Sequence, residues 1–154
     1  MDGIAELCTG LAGWERIGAR LTATQWLGRA ADAHAEVGQV SEALAALERA
    51  TETATSTAEQ FYEAELHRLR AELLLVLSDQ ASAEEQLHKA VAVAREQSAK
   101  SLELRATTSL ARLWRDQGKR TQARDLLAPI YGWFTEGFDT LDLKEAKALL
   151  VELA

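Results

Sequence analysis

The side chains that could supply catalysis or bind a metal are few in this chain of 154 residues. Its three histidines are His34, His67 and His88, and its single cysteine is Cys8. Each of the last two histidines has a glutamate four residues before it, on the same helical face, but two ligands are too few for a zinc site. A cysteine nucleophile needs a base and an orienting third group. We find neither, so we expect Cys8 to be a buried packing residue.

Other enzymatic motifs are also missing. The segment from Gly13 to Gly18 is the nearest match to a phosphate-binding loop, but Ala19 and Arg20 follow it where Lys and Ser or Thr are required. Glu84 and Glu85 are adjacent, so on a helix they point in different directions. We therefore predict a protein that is not an enzyme and that has no catalytic residues, no metal and no cofactor.

The charge of the chain narrows the classes of partner. The formal net charge is −7, whereas nucleic-acid binding depends on many Lys and Arg side chains that neutralise phosphates. An anionic membrane surface is disfavoured for the same reason. No basic segment followed by an apolar run opens the sequence, and no stretch of about 18 apolar residues occurs. We therefore expect a cytoplasmic protein that binds neither nucleic acid nor membranes.

The elements that position these side chains repeat with a period of forty residues. Similar residue types recur in five series: Ala31, Ala71, Ala111; Ala43, Ala83, Ala123; Leu7, Leu47, Leu87, Leu127; Gly10, Ala50, Ala90, Ile130; and Gly38, Ser78, Gly118. Small residues are needed where two helices cross closely, and glycine at a helix end allows a positive φ. The period therefore predicts helix–turn–helix units, with Ser41 and Thr121 as N-caps of the second helices.

This arrangement of small and large residues around a turn resembles the tetratricopeptide repeat, whose usual period is shorter. The HEAT and armadillo repeats, with periods near forty, are the alternative. The resemblance implies an all-α fold, a right-handed α-solenoid of antiparallel helix pairs with about eight helices. We predict one domain over residues 1–154. It comprises a leading half-repeat (1–20), helix pairs at 22–57, 60–98 and 101–136, and a capping helix at 140–153.

Two segments resemble a more specific group. FYEAELHRLRAELLL and ARLWRDQGKRTQARDLLAPIYGWFTEGFDTLDLKEAKALL look like the C-terminal tetratricopeptide tail of large bacterial signalling ATPases, which often carry a class III nucleotide cyclase or a DNA-binding domain. Leu141 and Ser78 depart from the residues usual there, which are proline and glycine. The resemblance implies a regulatory or partner-binding tail, and a chain that begins in mid-repeat suggests part of something longer or a homodimer.

The aromatic segment YGWFTEGF holds four of the nine aromatic residues. We expect Tyr131 to Phe134 to continue the helix that starts at Thr121, bent by Pro129 and ended by Gly137. Asp139 or Thr140 should then cap the final helix. The aromatic side chains should pack the last full repeat against that helix, and a ligand or partner cleft is the alternative.

Positive charge is concentrated in one region. Between Lys100 and Asp125 there are seven Lys or Arg and three Asp or Glu, a net of +4. In a tetratricopeptide superhelix the first helix of each pair lines the concave groove, so we expect partner-binding residues Arg105, Arg112 and Arg115 there, with Glu72 and Arg68 from the second pair. The groove should run from acidic to basic, and arginine forks suit peptide carboxylates. The alternative is a solvated helix surface on which charges four residues apart pair with each other.

These observations favour a non-catalytic protein–protein interaction module of a bacterial signalling system. It would bind a peptide or a partner domain, for example of a signalling ATPase or cyclase, in the concave groove. The alternative is a structural element that dimerises through its uncapped first helix, in which Leu7, Leu11 and Trp14 share an apolar face.

Overall fold

The structure is a computed structural model that describes residues 2–18 and 22–154. Over these residues the chain forms eight α-helices and no strand: α1 (Asp2–Arg16), α2 (Ala23–Glu36), α3 (Val40–Thr57), α4 (Glu63–Val76), α5 (Gln80–Glu96), α6 (Lys100–Asp116), α7 (Arg120–Tyr131) and α8 (Leu141–Glu152). The all-α class and the number of helices are thus confirmed. The predicted leading segment, 1–20, includes residues 1, 19 and 20, which lie outside the described residues.

The turns between paired helices follow the forty-residue period. Gly38 and Gly118 adopt positive φ angles of 75° and 79°, and Ser78 adopts 64° at the equivalent position. In each turn the next residue donates its amide to a carbonyl five residues earlier, as Gln39 does to His34 at 2.9 Å. These bonds satisfy the last carbonyls of the preceding helix.

The predicted N-caps are wrong because these turns are very short. Helices α3 and α7 begin at Val40 and Arg120, so Ser41 and Thr121 already lie inside the first helical turn. One residue after the left-handed position is enough to start the next helix. Asp79 before α5 does cap with its side chain, since it accepts the amide of Ser82 at 3.1 Å.

The repeated small and large residues form the core. Helix α2 packs against α3, α4 against α5, and α6 against α7. The series at Ala31, Ala43, Leu47 and Ala50, and their counterparts in the next two pairs, are at most 5% exposed: Ala71, Ala83, Leu87, Ala90, Ala111, Ala123, Leu127 and Ile130. The period therefore reflects one packing arrangement that is used three times along the chain.

Helix α7 ends earlier than the sequence suggested. It stops at Tyr131, and the segment up to Gly137 is irregular. Pro129 has no amide to donate to residue 125. Beyond it, the amides of Trp133 and Phe134 donate to the carbonyl oxygens three residues earlier, each at 3.3 Å, and not to those four residues earlier. Thr140 precedes α8 as expected, but its hydroxyl donates to the Gly137 carbonyl and makes no cap.

The aromatic residues of this segment divide into two groups. Tyr131 and Phe134 pack against the core formed by α6, α7 and α8, as predicted. Trp133 and Phe138 are instead 58% and 46% exposed. None of the helices in the described residues combines the length and apolar character that a membrane span requires.

A buried carboxylate links α5 to α6 and predicts a pH dependence. Glu103 accepts hydrogen bonds from Arg95 Nε at 2.8 Å and Lys100 Nζ at 2.7 Å. Burial opposes ionisation, but these bonds outweigh it and hold the pKa of Glu103 below its ordinary value. Such a group stabilises the fold above the unfolded-state pKa of about 4.3, and this contribution is lost as the pH falls through the lower folded-state pKa.

We expect Glu103→Gln to be less stable than the wild type at neutral pH, with a difference that shrinks as the solution is acidified below about pH 4. Urea unfolding of both proteins across this range measures the difference. Glu96→Gln, at an exposed position on α5, is the matched control. A Glu103→Gln difference that does not change with pH would contradict the assignment.

Candidate interaction cleft

A charged cleft of about 300 Å³ lies along one side of the molecule. It is built from α2, α4 and α6, the first helix of each packed pair, and from α8. Its lining consists of Arg29, Asp32, Glu65, Arg68, Glu72, Arg105, Thr108, Ser109, Arg112, Leu141, Asp142 and Glu145. We call this site the charged cleft.

The structure brings together four of the five residues that the sequence proposed for partner binding. Arg68, Glu72, Arg105 and Arg112 all line the charged cleft. Arg115 does not: it lies near the end of α6 and donates to Glu152 at 2.9 Å and to Asp116 at 2.8 Å. One extra helical turn beyond Arg112 therefore places it past the end of the cleft.

The floor of the cleft is a buried ion-pair network on α4. The side chains of Glu65 and Arg68 are 4% and 13% exposed, and their atoms approach to 2.9 Å. Arg68 also donates to Glu72. Burial alone would lower the pKa of Arg68, but the bonds to Glu65 and Glu72 raise it above the ordinary arginine value. Arg68 therefore stays protonated and positively charged, and it does not act as a general acid.

The two α6 arginines of the cleft are bound to the final helix. Arg105 Nε donates to Asp142 at 2.8 Å, and a second nitrogen of Arg105 lies 3.4 Å from Glu65. Arg112 donates to Glu145 at 2.6 Å. Partial burial opposes the charge of Arg105, yet these carboxylates raise its pKa.

The predicted progression from an acidic to a basic groove is therefore not present in the cleft. Four arginines and five carboxylates line it, because α8 places its acidic side chains opposite the basic side chains of α6. Neither sign dominates, and the α6 arginines are neutralised by their neighbours.

The acidic partners on α8 carry a sequence signal that the initial interpretation did not use. One more step of forty residues leads from Arg105 to Glu145 and from Arg112 to Glu152. Extending the register would thus have placed acidic residues beside the basic helix. Asp142 stands one turn before Glu145 on the same helix.

Two charged residues of the cleft are available to a ligand. Arg29 is exposed and Asp32 is partly exposed, and both lie on α2. In the described part of the chain neither of them has a hydrogen-bond or ion-pair partner. Neither residue was among the partner-binding residues predicted from the sequence.

Cys8 and His34 do not line the charged cleft. Cys8 is exposed, contrary to the prediction, because α1 packs against a helix on one side only. Its Sγ atom is 3.9 Å from His34 Nε2, and the other ring nitrogen of His34 is 2.6 Å from Gln39. Within residues 2–18 and 22–154, no three His, Cys, Asp or Glu side chains are grouped as a metal site.

Charged side chains from four helices, α2, α4, α6 and α8, thus converge in the charged cleft. No protein-family model matches the chain, and no curated protein or solved structure matches it.

Proposed function

We propose that this chain is a tetratricopeptide-like, right-handed α-solenoid of antiparallel helix pairs that acts as a non-catalytic protein-interaction module in the bacterial cytoplasm. Its ligand is a peptide segment of a signalling partner that lies in the charged cleft. The observation that carries this proposal is the composition of the cleft, in which α2, α4, α6 and α8 each contribute charged side chains. A surface made by successive repeat units is the usual binding site of solenoid proteins.

The cleft chemistry suits an extended segment that carries both signs of charge. Arg68, Arg105 and Arg112 are already paired with carboxylates, so a ligand that carries only acidic groups would have to break those pairs. Arg29 and Asp32 offer one charge of each sign at the α2 end that makes no hydrogen bond or ion pair in the described residues, although the charge of Asp32 also acts on Arg68. A peptide with an acidic and a basic side chain about one helical turn apart in space would complement both.

This proposal predicts the effect of a charge exchange. Peptides selected from a displayed random library on the wild-type protein should lose about tenfold or more in affinity for Arg29→Glu/Asp32→Lys. The exchange preserves the net charge and leaves the ion pairs between helices intact. Titration of labelled peptides followed by fluorescence anisotropy measures the dissociation constants.

The matched control is Arg124→Glu/Asp125→Lys, which makes the same exchange on the exposed surface of α7. It should bind the selected peptides like the wild type. Equal loss in both variants would mean that the charge exchange acts nonspecifically, and undiminished binding by the α2 variant would place the peptide site outside the cleft.

A further inference from the structure

Helix α1 has a face whose counterparts are buried everywhere else in the chain. Gly3, Leu7 and Gly10 occupy the positions of Ala43, Leu47 and Ala50 in the forty-residue register. Those three residues of α3 are 0% exposed, because α2 covers them. On α1 the two glycines are exposed and Leu7 is only partly buried. Within the described residues, no first helix of a pair covers this face of α1.

The uncovered face borders an apolar groove. Leu7, Gly10, Leu11 and Trp14 of α1 line it together with Trp26 of α2, and its volume is about 240 Å³. The two tryptophans are 37% and 41% exposed, and their rings pack edge to face with centroids 6.5 Å apart. We call this site the α1 groove. Its apolar lining suits the apolar side chains along one face of an amphipathic helix.

Helix α8 shows the complementary deficit. Four residues of α6 that lie in the same register are buried: Leu104, Thr107, Thr108 and Ala111. Their counterparts on α8, one step of forty residues later, are Lys144, Lys147, Ala148 and Val151, and all four are exposed. Among them, the side chain of Val151 is 70% exposed although it is apolar. Helix α8 therefore has the register of a first helix, and no second helix covers this face within the described residues.

The two uncovered faces also match in charge and in aromatic content. The outer face of α8 carries two lysines, whereas the rim of the α1 groove carries Glu6 and Trp14. Lysine above a tryptophan ring already occurs within this chain: the ammonium group of Lys119 is 5.9 Å from the ring centroid of Trp114. Lysine stems can cover apolar surface while their charged ends reach a carboxylate or an aromatic face.

We propose that α8 of one copy packs into the α1 groove of a second copy, so that the two uncovered helices complete a helix pair between chains. This inference rests on the proposed repeat architecture and is independent of peptide binding in the charged cleft. The two surfaces are different, so the contact is heterologous and leaves one α1 groove and one α8 face free at the ends. Copies should therefore assemble head to tail into chains, and association should continue beyond the dimer as concentration rises.

Two substitutions at exposed positions test the contact without disturbing the monomer. Gly10→Lys is tolerated on α1, because no atom lies within 4 Å of a Cβ added there. Val151→Lys lies on the exposed face of α8, near its C-terminal end, where a cation is favourable. Each variant should lower the association constant on the order of a hundredfold or more by placing an unpaired charge in the contact. Sedimentation velocity over a wide concentration range measures this.

Mixing the variants gives the decisive result. Gly10→Lys retains an intact α8 face, and Val151→Lys retains an intact α1 groove, so an equimolar mixture should form dimers although each variant alone is monomeric. The control Thr9→Lys adds the same charge to an exposed position on α1 but away from the groove, and it should assemble like the wild type.

Three results would each overturn the proposal: a wild type that stays monomeric, a Val151→Lys variant that still dimerises while Gly10→Lys does not, or a mixture that forms no dimer. The second would show that α1 pairs with α1. Neither lysine variant should change the affinity for a cleft peptide, so failure of this inference is distinguishable from failure of the proposed function.

Discussion

Leu87→Ala will lower the free energy of unfolding by about 2–5 kcal/mol. Leu87 is 0% exposed and lies in a core cluster that α4, α5 and α6 build together, with Ala71 and Leu110 among its members. Removal of three carbon atoms there loses apolar burial and leaves a cavity. The neighbouring alanine side chains are too short to fill that cavity. Urea unfolding followed by circular dichroism measures the change.

Val76→Ala is the control for this prediction. Val76 is 64% exposed at the end of α4, and alanine is the better helix former, so we expect no loss of stability. If Leu87→Ala were as stable as the wild type, the buried leucine series would not be the source of the cooperative core. The forty-residue period would then need another explanation.

Glu65→Gln is expected to destabilise the protein by about 3 kcal/mol. The carboxylate of Glu65 is almost completely buried, and it accepts from both Arg68 and Arg105. The neutral amide can still accept from Arg68 through its oxygen, but it removes the negative charge and leaves Glu72 as the carboxylate bonded to the buried guanidinium. Removal of one member of a buried ion pair is costly, because the remaining charge stays out of water.

The double variant Glu65→Leu/Arg68→Met distinguishes the net contribution of the ion pair from the cost of leaving one buried charge unpaired. Replacement of both charges by apolar side chains of similar size should recover part of the stability, since no buried charge remains unpaired. Glu85→Gln, in the exposed pair with Lys89, should unfold like the wild type. A Glu65→Gln variant as stable as the wild type would show that water reaches this network.

The helical architecture follows closely from the sequence. The alanine and leucine series at steps of forty marked residues such as Ala71 and Leu87, both of which are fully buried. Gly38 and Gly118 marked turns at which the backbone adopts a positive φ. These features are predictable because a close helix crossing admits only small side chains and a left-handed helix end favours glycine. Both requirements act on the residue itself and on near neighbours in sequence.

Helix ends were less predictable. Thr121 has the chemistry of an N-cap, yet it lies inside α7 because the preceding turn uses a single residue after Gly118. Gly137 has the conformation expected of a helix terminator, but α7 had already ended at Tyr131, after Pro129. Several neighbouring residues favour a helix end at each of these places, and local propensity does not show which of them is used.

The sequence by itself thus determined the helices, their period and the residues of the core, because these depend on side-chain size and on short-range backbone preferences. Only the tertiary structure decided the ion pairs of the charged cleft. Arg105 meets Asp142 across 37 positions of sequence, Arg112 meets Glu145 across 33, and Arg115 lies outside the cleft. An ion pair requires that the two charged groups lie within a few ångströms of each other. Whether they do depends on how α8 packs against α6, and the sequence does not give that packing.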